Sequence, residues 1–139
     1  MEALSVVAES LAPYRGSGTF SSAMLVRGGL PLAISELDLS DDDEVVDLDD
    51  PAVLVTEGLR PSRVATRQRP ITQGMATELF ERHRDAAALL WWSTLEASWL
   101  NATIFDRAAA SLSVRRTEQL APDHPLVREA ATFLALRMT

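Results

Sequence analysis

Apolar residues spaced three and four positions apart predict three helices along the chain. The first has its apolar stripe near the N-terminus and is closed by Pro13; the stripe comprises Leu4, Val7, Ala8 and Leu11. The second opens at Ile71-Thr72, where Thr72 can cap it, and fades by His83; its apolar face comprises Met75, Ala76, Leu79 and Phe80. The third starts at Pro125, and its apolar side comprises Leu126, Ala130, Phe133 and Leu134.

Between the helices, alternation and one continuous apolar run predict strands. Residues 86–92 form a seven-residue apolar run, which is too short for an independent helix and suits a buried strand. Shorter extended segments are predicted at residues 24–27, 31–39, 100–105 and 111–115. The order of helix, strands, helix, strands, helix predicts an α+β fold, and 139 residues are enough for a single domain with its own core.

Acidic residues are concentrated in the first part of the chain. Residues 1–50 hold eleven acids and two arginines, whereas residues 51–139 hold nine acids and eleven arginines. Residues 36–50 alone carry nine acids and no base, without the ligand spacing or central glycine of an EF-hand. This stretch is predicted to be a solvated connection, in which Val45-Val46 and Leu48 indicate one short strand or a docking point.

Four of the thirteen arginines fall within ten residues, at Arg60, Arg63, Arg67 and Arg69. One interpretation is a polar surface loop that balances the acidic stretch; the other is a patch that binds a pyrophosphate or a partner. The formal net charge of -7 opposes non-specific nucleic-acid binding, and no aromatic residue lies among these arginines as a stacking platform would require.

Composition excludes several classes of protein and site. The chain has no cysteine, so disulfide scaffolds, zinc–thiolate sites and cysteine nucleophiles are excluded. No apolar run approaches the roughly 20 residues of a membrane span, and an acid stands where a secretory signal has its basic region, so a cytoplasmic protein without a membrane is expected. Two histidines are too few for a ligand cluster, so no metal is expected.

Two groups of residues are candidates for chemistry. Glu9 points away from the apolar stripe of the first helix together with Glu2 and Ser5, which is typical of a solvated face. Trp91 and Trp92 should point to opposite faces of a strand, so one can belong to the core while the other lines a cleft. Ser93 then follows where the strand ends.

Four segments, in this order and spacing, resemble the RES-domain family, the toxin component of a bacterial toxin–antitoxin pair. Residues 3–15 resemble the family's alanine-rich helix bearing its glutamate, and residues 71–83 are similar to its threonine–glutamine helix. Residues 88–93 resemble its strand ending in a serine, and residues 99–108 the strand that closes the domain. The resemblance spans most of residues 1–120 and is strongest at residues 1–15 and 71–108.

The resemblance implies one RES-like domain over residues 1–139 with an ADP-ribosyltransferase-like fold, a mixed β-sheet core flanked by helices. It implies NAD as substrate, consumed by cleavage of the nicotinamide–ribose bond through phosphorolysis, hydrolysis or ADP-ribosyl transfer. Glu9 matches the family's catalytic glutamate and Ser93 its substrate-binding serine. Trp92 is inferred, from its place beside Ser93, to stack on nicotinamide or adenine. The implied partner is an Xre-type antitoxin, in a complex that can be oligomeric.

The sequence departs from the family before Glu9. In the family an arginine and a tyrosine lie well upstream of the glutamate, and here only eight residues precede Glu9. The domain is therefore expected to be N-terminally incomplete. Two hypotheses follow: an NAD-cleaving enzyme, or an inactive RES-like domain that only binds its cognate antitoxin.

Overall fold

The computed structural model describes residues 2–40 and 42–138; Met1, Asp41 and Thr139 lie outside the described residues. The α-helices are Ala3–Leu11 (α1), Pro51–Glu57 (α2), Pro61–Val64 (α3), Arg69–Arg82 (α4) and Pro125–Phe133 (α5). The strands are Val26–Arg27 (β1), Leu30–Pro31 (β2), Ala33–Asp38 (β3), Glu44–Asp47 (β4), Ala86–Trp92 (β5), Leu100–Ile104 (β6) and Ser113–Gln119 (β7). This mixture confirms the α+β class.

The chain divides into two compact units. Unit 1 is formed by residues 39–113, and unit 2 by residues 2–38 together with residues 114–138. Unit 2 is therefore built from two segments that are far apart in the sequence. The expectation of one RES-like domain over the whole chain stays a prediction.

Unit 1 contains a three-stranded sheet in the order β4-β5-β6. Strand β4 runs parallel to β5, with Asp47 opposite Leu90, and β6 runs antiparallel to it, with Ala88 opposite Ile104. Because parallel neighbours need a crossover, the chain between β4 and β5 forms α2, α3 and α4. The core of this unit comprises Val46, Leu48, Leu54, Val64, Met75, Leu79, Ala86, Leu89 and Phe105.

Helix α2 was not expected from apolar spacing. Its start is fixed by Asp50, whose Oδ1 accepts the Ala52 amide hydrogen at 2.8 Å, and by Pro51 in its first turn. Its end is fixed by Gly58, which has φ 65° and so adopts the left-handed conformation that favours glycine. The signal for this helix was the pair of caps rather than the seven residues between them.

Helix α4 starts earlier than predicted and has a different cap. It begins at Arg69 rather than at Ile71, and Thr72 lies inside its first turn, where its hydroxyl donates to the Arg69 carbonyl at 3.1 Å. The N-cap position is occupied by Gln68, whose side chain makes no capping hydrogen bond. Pro70 fits the first turn because its fixed φ is already helical. The predicted end holds, since the helix stops at Arg82.

The end of α4 is tied to the segment after β6 by Arg107. Its guanidinium donates to the carbonyls of Phe80 at 2.8 Å and His83 at 2.9 Å, and also to that of Arg84. It lies 3.8 Å above the centroid of the Phe80 ring, which meets Phe105 edge-on. A cation thus satisfies carbonyls at the helix end that have no partner within the helix.

In unit 2, α1 packs against α5. The predicted stripe of α1 is buried at Val7, Ala8 and Leu11. Ser5, expected on the solvated face, is fully buried. Its hydroxyl donates to the Glu2 carbonyl at 2.8 Å, so the buried group has a hydrogen-bond partner without water. Of the predicted apolar side of α5, Ala130 and Leu134 are buried as expected, whereas Leu126 and Phe133 are half-buried. Val127 and Ala131, which were not predicted, are also buried.

The remaining strands of unit 2 form two small sheets, β1 with β2 and β3 with β7. Strand β7 corresponds to the strand expected at residues 111–115 but begins at Ser113 and continues to Gln119. Its side chains are exposed along almost its whole length, so alternation here does not mark a buried face. Arg115 instead pairs with Glu36 and Asp38 of β3, and Ser35 hydrogen-bonds Thr117 at 2.8 Å.

Candidate functional site

Ser93 lies directly after β5 and is only 3% exposed. Its amide donates to the Trp99 carbonyl at 2.7 Å, and its hydroxyl oxygen accepts the Leu95 amide hydrogen at 2.9 Å. Both hydrogen bonds lie within the loop between β5 and β6, and the bond to Trp99 brings the end of that loop back to Ser93 at its start. The hydroxyl is therefore fixed in position by the backbone around it.

Trp91 and Trp92 end the same strand. Both are half-buried, and both pack against the core of unit 1. Both tryptophans therefore contribute to the core, and a cleft-lining role for one of them stays a prediction. Each tryptophan is also partly accessible to solvent. Trp92, which directly precedes Ser93, is therefore packed against the core in part and exposed in part.

The carboxyl ends of β4 and β5 meet at one edge of the sheet because the two strands are parallel. The Leu48 amide donates to the Leu90 carbonyl at 3.0 Å, so Asp49 and Asp50 follow β4 at the edge where Trp92 and Ser93 end β5. Ligands of open α/β sheets bind outside this edge. Sequence reasoning missed the aspartates here, because the parallel pairing that brings them to β5 leaves no local pattern.

Glu9 is a residue of unit 2. It lies on α1 next to fully buried Ala8 and is itself half-buried, so the helix face on which it stands is not simply solvated. The next residue, Ser10, accepts a hydrogen bond from the Arg27 guanidinium through its carbonyl at 3.4 Å. Trp92 and Ser93 are consecutive residues of unit 1, whereas Glu9 belongs to the other unit.

A groove of about 650 Å³ lies on unit 2 between the start of α1 and α5. Its lining is mainly apolar and comprises Leu4, Asp123, Pro125, Arg128, Glu129, Thr132 and Phe133. Glu9 is not among these residues. The groove is therefore not a cavity into which the candidate catalytic carboxylate of Glu9 is placed.

Both histidines make contacts at helix ends. His83 follows α4, and its Nε2 lies 2.9 Å from Oε1 of Glu57, a carboxylate only 5% exposed that also pairs with Arg82. His124 precedes α5, where its Nδ1 accepts the Leu126 amide hydrogen at 3.2 Å. Within residues 2–40 and 42–138, no group of three or more His, Asp and Glu side chains is arranged to hold a metal ion.

Comparison of the chain with protein-family models, with curated proteins and with solved structures finds no match. In the part of the chain that the structure describes, no helix is long and apolar enough to cross a bilayer. Function is therefore inferred from the residues themselves and from the resemblance of four segments to the RES-domain family, and membership of that family stays a prediction.

Proposed function

We propose that this chain is a RES-type protein that consumes NAD by cleaving the nicotinamide–ribose bond. Glu9 is the catalytic carboxylate, and Ser93 and Trp92 bind the substrate. In this proposal the fold is ADP-ribosyltransferase-like, the protein acts in the cytoplasm, and its partner is an Xre-type antitoxin.

The observation that carries the proposal is the state of Ser93. A serine that is 3% exposed stands at the carboxyl edge of a parallel strand pair, with its hydroxyl oriented by the Leu95 amide. The carboxyl ends of parallel strands are where open sheets bind their ligands. The family's serine occupies the same kind of position, at the end of a strand, and the half-buried Trp92 beside it offers a surface on which a nicotinamide or adenine ring can stack.

The chemistry requires a carboxylate near the ribose. As the C1′–N bond breaks, its electron pair leaves with the nicotinamide nitrogen and C1′ develops oxocarbenium character. A carboxylate such as Glu9 stabilises that positive charge and accepts hydrogen bonds from the ribose hydroxyls. Water, phosphate or a protein side chain then forms the new bond to C1′ and loses its proton to solvent.

Replacement of the carboxylate tests the assignment. Glu9→Gln keeps the size of the side chain and removes its charge, so nicotinamide release from NAD should fall about 100-fold or more, the usual effect of losing a group that stabilises transition-state charge. The measurement is nicotinamide release by the purified chain with phosphate present.

Glu2→Gln is the matched control. Glu2 precedes the same helix, is exposed, and makes no capping hydrogen bond through its side chain. Its variant should release nicotinamide at the rate of the unaltered chain. Equal rates for Glu9→Gln and the unaltered chain, with both folded by circular dichroism, would disprove the role of Glu9.

A binding function without catalysis is the second candidate, because unit 2 exposes large apolar side chains on its strands. Val26, Leu30 and Val114 are 46%, 71% and 64% exposed. A bound antitoxin that covered these side chains would remove their apolar surface from water. Co-purification with an Xre-type antitoxin, without nicotinamide release by the folded chain, would favour this candidate over the enzyme.

A further inference from the structure

Residues 58–77, which we call the arginine segment, carry four arginines and no acid in a chain that has twenty acids and thirteen arginines. The segment contains α3 and the first half of α4. Arg60, Arg63, Arg67 and Arg69 are all exposed, and neither α3 nor the first turn of α4 supplies an acid to balance them. Positive charge thus accumulates on one part of unit 1.

These four guanidiniums differ from others of the same unit. Arg82 pairs with the buried carboxylate of Glu57, and Arg107 donates to three backbone carbonyls. Among the described residues, no carboxylate oxygen lies within 4.0 Å of the guanidinium nitrogens of the arginine segment. Among the residues that the structure describes, the positive charge of the segment therefore has no acidic partner.

Unit 1 also carries the opposite charge. Residues 42–50, which we call the acidic segment, have six acids and no base. Asp42, Glu44, Asp49 and Asp50 are exposed, and none of them pairs with an arginine within the described residues. The segment includes β4, which among the described residues is an edge strand of the sheet, paired with β5.

We propose that the arginine segment of one copy of this chain binds the acidic segment of a second copy. One compact unit carries both complementary surfaces, and among the described residues no ion pair joins an arginine to a carboxylate of the acidic segment. Each guanidinium can bind a carboxylate with two parallel hydrogen bonds, which gives geometric specificity besides charge. This association is independent of NAD cleavage, since it uses none of Glu9, Trp92 and Ser93.

The same features favour a protein over a nucleic acid as the occupant. At a net charge of -7, the chain as a whole repels phosphate backbones. The residues between the arginines include no aromatic ring on which a base could stack. The acidic segment, by contrast, offers six carboxylates to the four arginines.

Salt provides the first measurement, by sedimentation velocity on the full chain. The Debye length is about 30 Å at 0.01 M salt and about 3 Å at 1 M, so association should be clear at the low concentration and absent at the high one. A chain that stays monomeric at 0.01 M salt, or an oligomer that is unaffected by 1 M salt, would overturn the proposal.

Exchange of the charges provides the sharper test. Two double variants change exposed side chains only: Arg63→Glu/Arg67→Glu and Asp42→Arg/Asp49→Arg. In each variant alone, the affinity of self-association should fall at least 10-fold. In a mixture of the two variants, the arginines introduced into the acidic segment of one variant can pair with the glutamates introduced into the arginine segment of the other. The mixture should therefore associate again. Failure of the mixture to associate would overturn the proposal.

Arg84→Glu/Arg128→Glu is the matched control, because both arginines are exposed, lie outside the arginine segment, and produce the same change in net charge, from -7 to -11. It should still self-associate more strongly than Arg63→Glu/Arg67→Glu. Equal loss in both variants would assign the effect to overall charge and overturn the proposal. Salt-dependent binding of duplex DNA that disappears only in Arg63→Glu/Arg67→Glu would reassign the segment to nucleic acid.

Discussion

Arg107 illustrates how one side chain secures the crossover that precedes β5. Its guanidinium serves the carbonyls of Phe80, His83 and Arg84, and its flat face covers the Phe80 ring. These groups belong to the last turn of α4 and the turn that leads into β5. The planar fork of arginine fits several acceptors at once, which the point charge of lysine does not.

Arg107→Ala should therefore lower the free energy of unfolding by about 2–3 kcal/mol, through lost hydrogen bonds from a charged donor and a lost cation–π contact. Arg107→Lys should recover only part of that loss. The measurement is urea unfolding followed by tryptophan fluorescence.

Arg116→Ala is the control for Arg107. Arg116 pairs with Glu118 on the surface of β7, and exposed ion pairs contribute about 0–1 kcal/mol. A loss for Arg107→Ala as small as that of Arg116→Ala would contradict the role assigned to the Phe80, His83 and Arg84 carbonyls.

At the same scale, burial of individual residues was only partly predictable. Sequence spacing identified Val7, Ala8 and Leu11 correctly, but it assigned Ser5 to the solvated face. A helical wheel ranks side chains by polarity and has no information about a hydroxyl that donates to a backbone carbonyl three residues earlier, as Ser5 does to Glu2. The same reason left Ser93 as an ordinary strand end, since its burial depends on the turn that follows it.

Among the elements, α2 and α4 show two different uses of glycine. Gly58 ends α2 with φ 65°, where a side chain is strained even though a Cβ would meet no atom within 4 Å. Gly74 lies inside α4, where a Cβ would also meet no atom within 4 Å and the backbone is helical. Both positions have room for a Cβ atom, but the backbone is left-handed at Gly58 and right-handed helical at Gly74.

Substitution by alanine should consequently have opposite signs at the two glycines. Gly58→Ala should lower the free energy of unfolding by about 1 kcal/mol, the cost of a left-handed alanine. Gly74→Ala should raise it by up to about 1 kcal/mol, the difference in helix propensity. Each variant serves as the control for the other in thermal and urea unfolding, and a change of the same sign in both would contradict the assigned conformations.

Long elements with a strong apolar pattern were predictable, and short ones fixed by their caps were not. The sequence patterns predicted α1, α4, α5, β5 and β6 within a few residues of their observed bounds. Helix α2 depends on Asp50 and Gly58 rather than on periodicity, so it was missed. The short strand suggested by Val45-Val46 is confirmed as β4, but its parallel pairing with β5 depends on residues forty positions away.

For the whole molecule, the important feature is that unit 2 is made from both ends of the chain. Helix α1 packs against α5, although more than a hundred residues separate them, and Leu11 is fully buried. The α+β class was predictable from composition and pattern, whereas this division into units was not. Local patterns hold no information about which distant segment covers an apolar face.

Leu11→Ala should lower the free energy of unfolding by about 2–5 kcal/mol, since it leaves a cavity on the α1 face that packs on α5. Val6→Ala is the control on the same helix, because Val6 is 40% exposed. Its effect should be well under half as large. Similar losses for the two variants, measured by urea unfolding, would contradict the burial of α1 against α5.

The discontinuity of unit 2 also sets the order of events while the chain is being synthesised. Helix α1 is translated before unit 1, and its packing partner α5 is translated after it. At about 5–20 residues per second, the Val7, Ala8 and Leu11 face has no α5 to cover it for roughly 6–24 seconds. During that interval unit 1, whose segments are contiguous, has already been translated. The nascent chain therefore carries an uncovered amphipathic helix throughout the synthesis of unit 1, and a chaperone would have most reason to bind the helix in that interval.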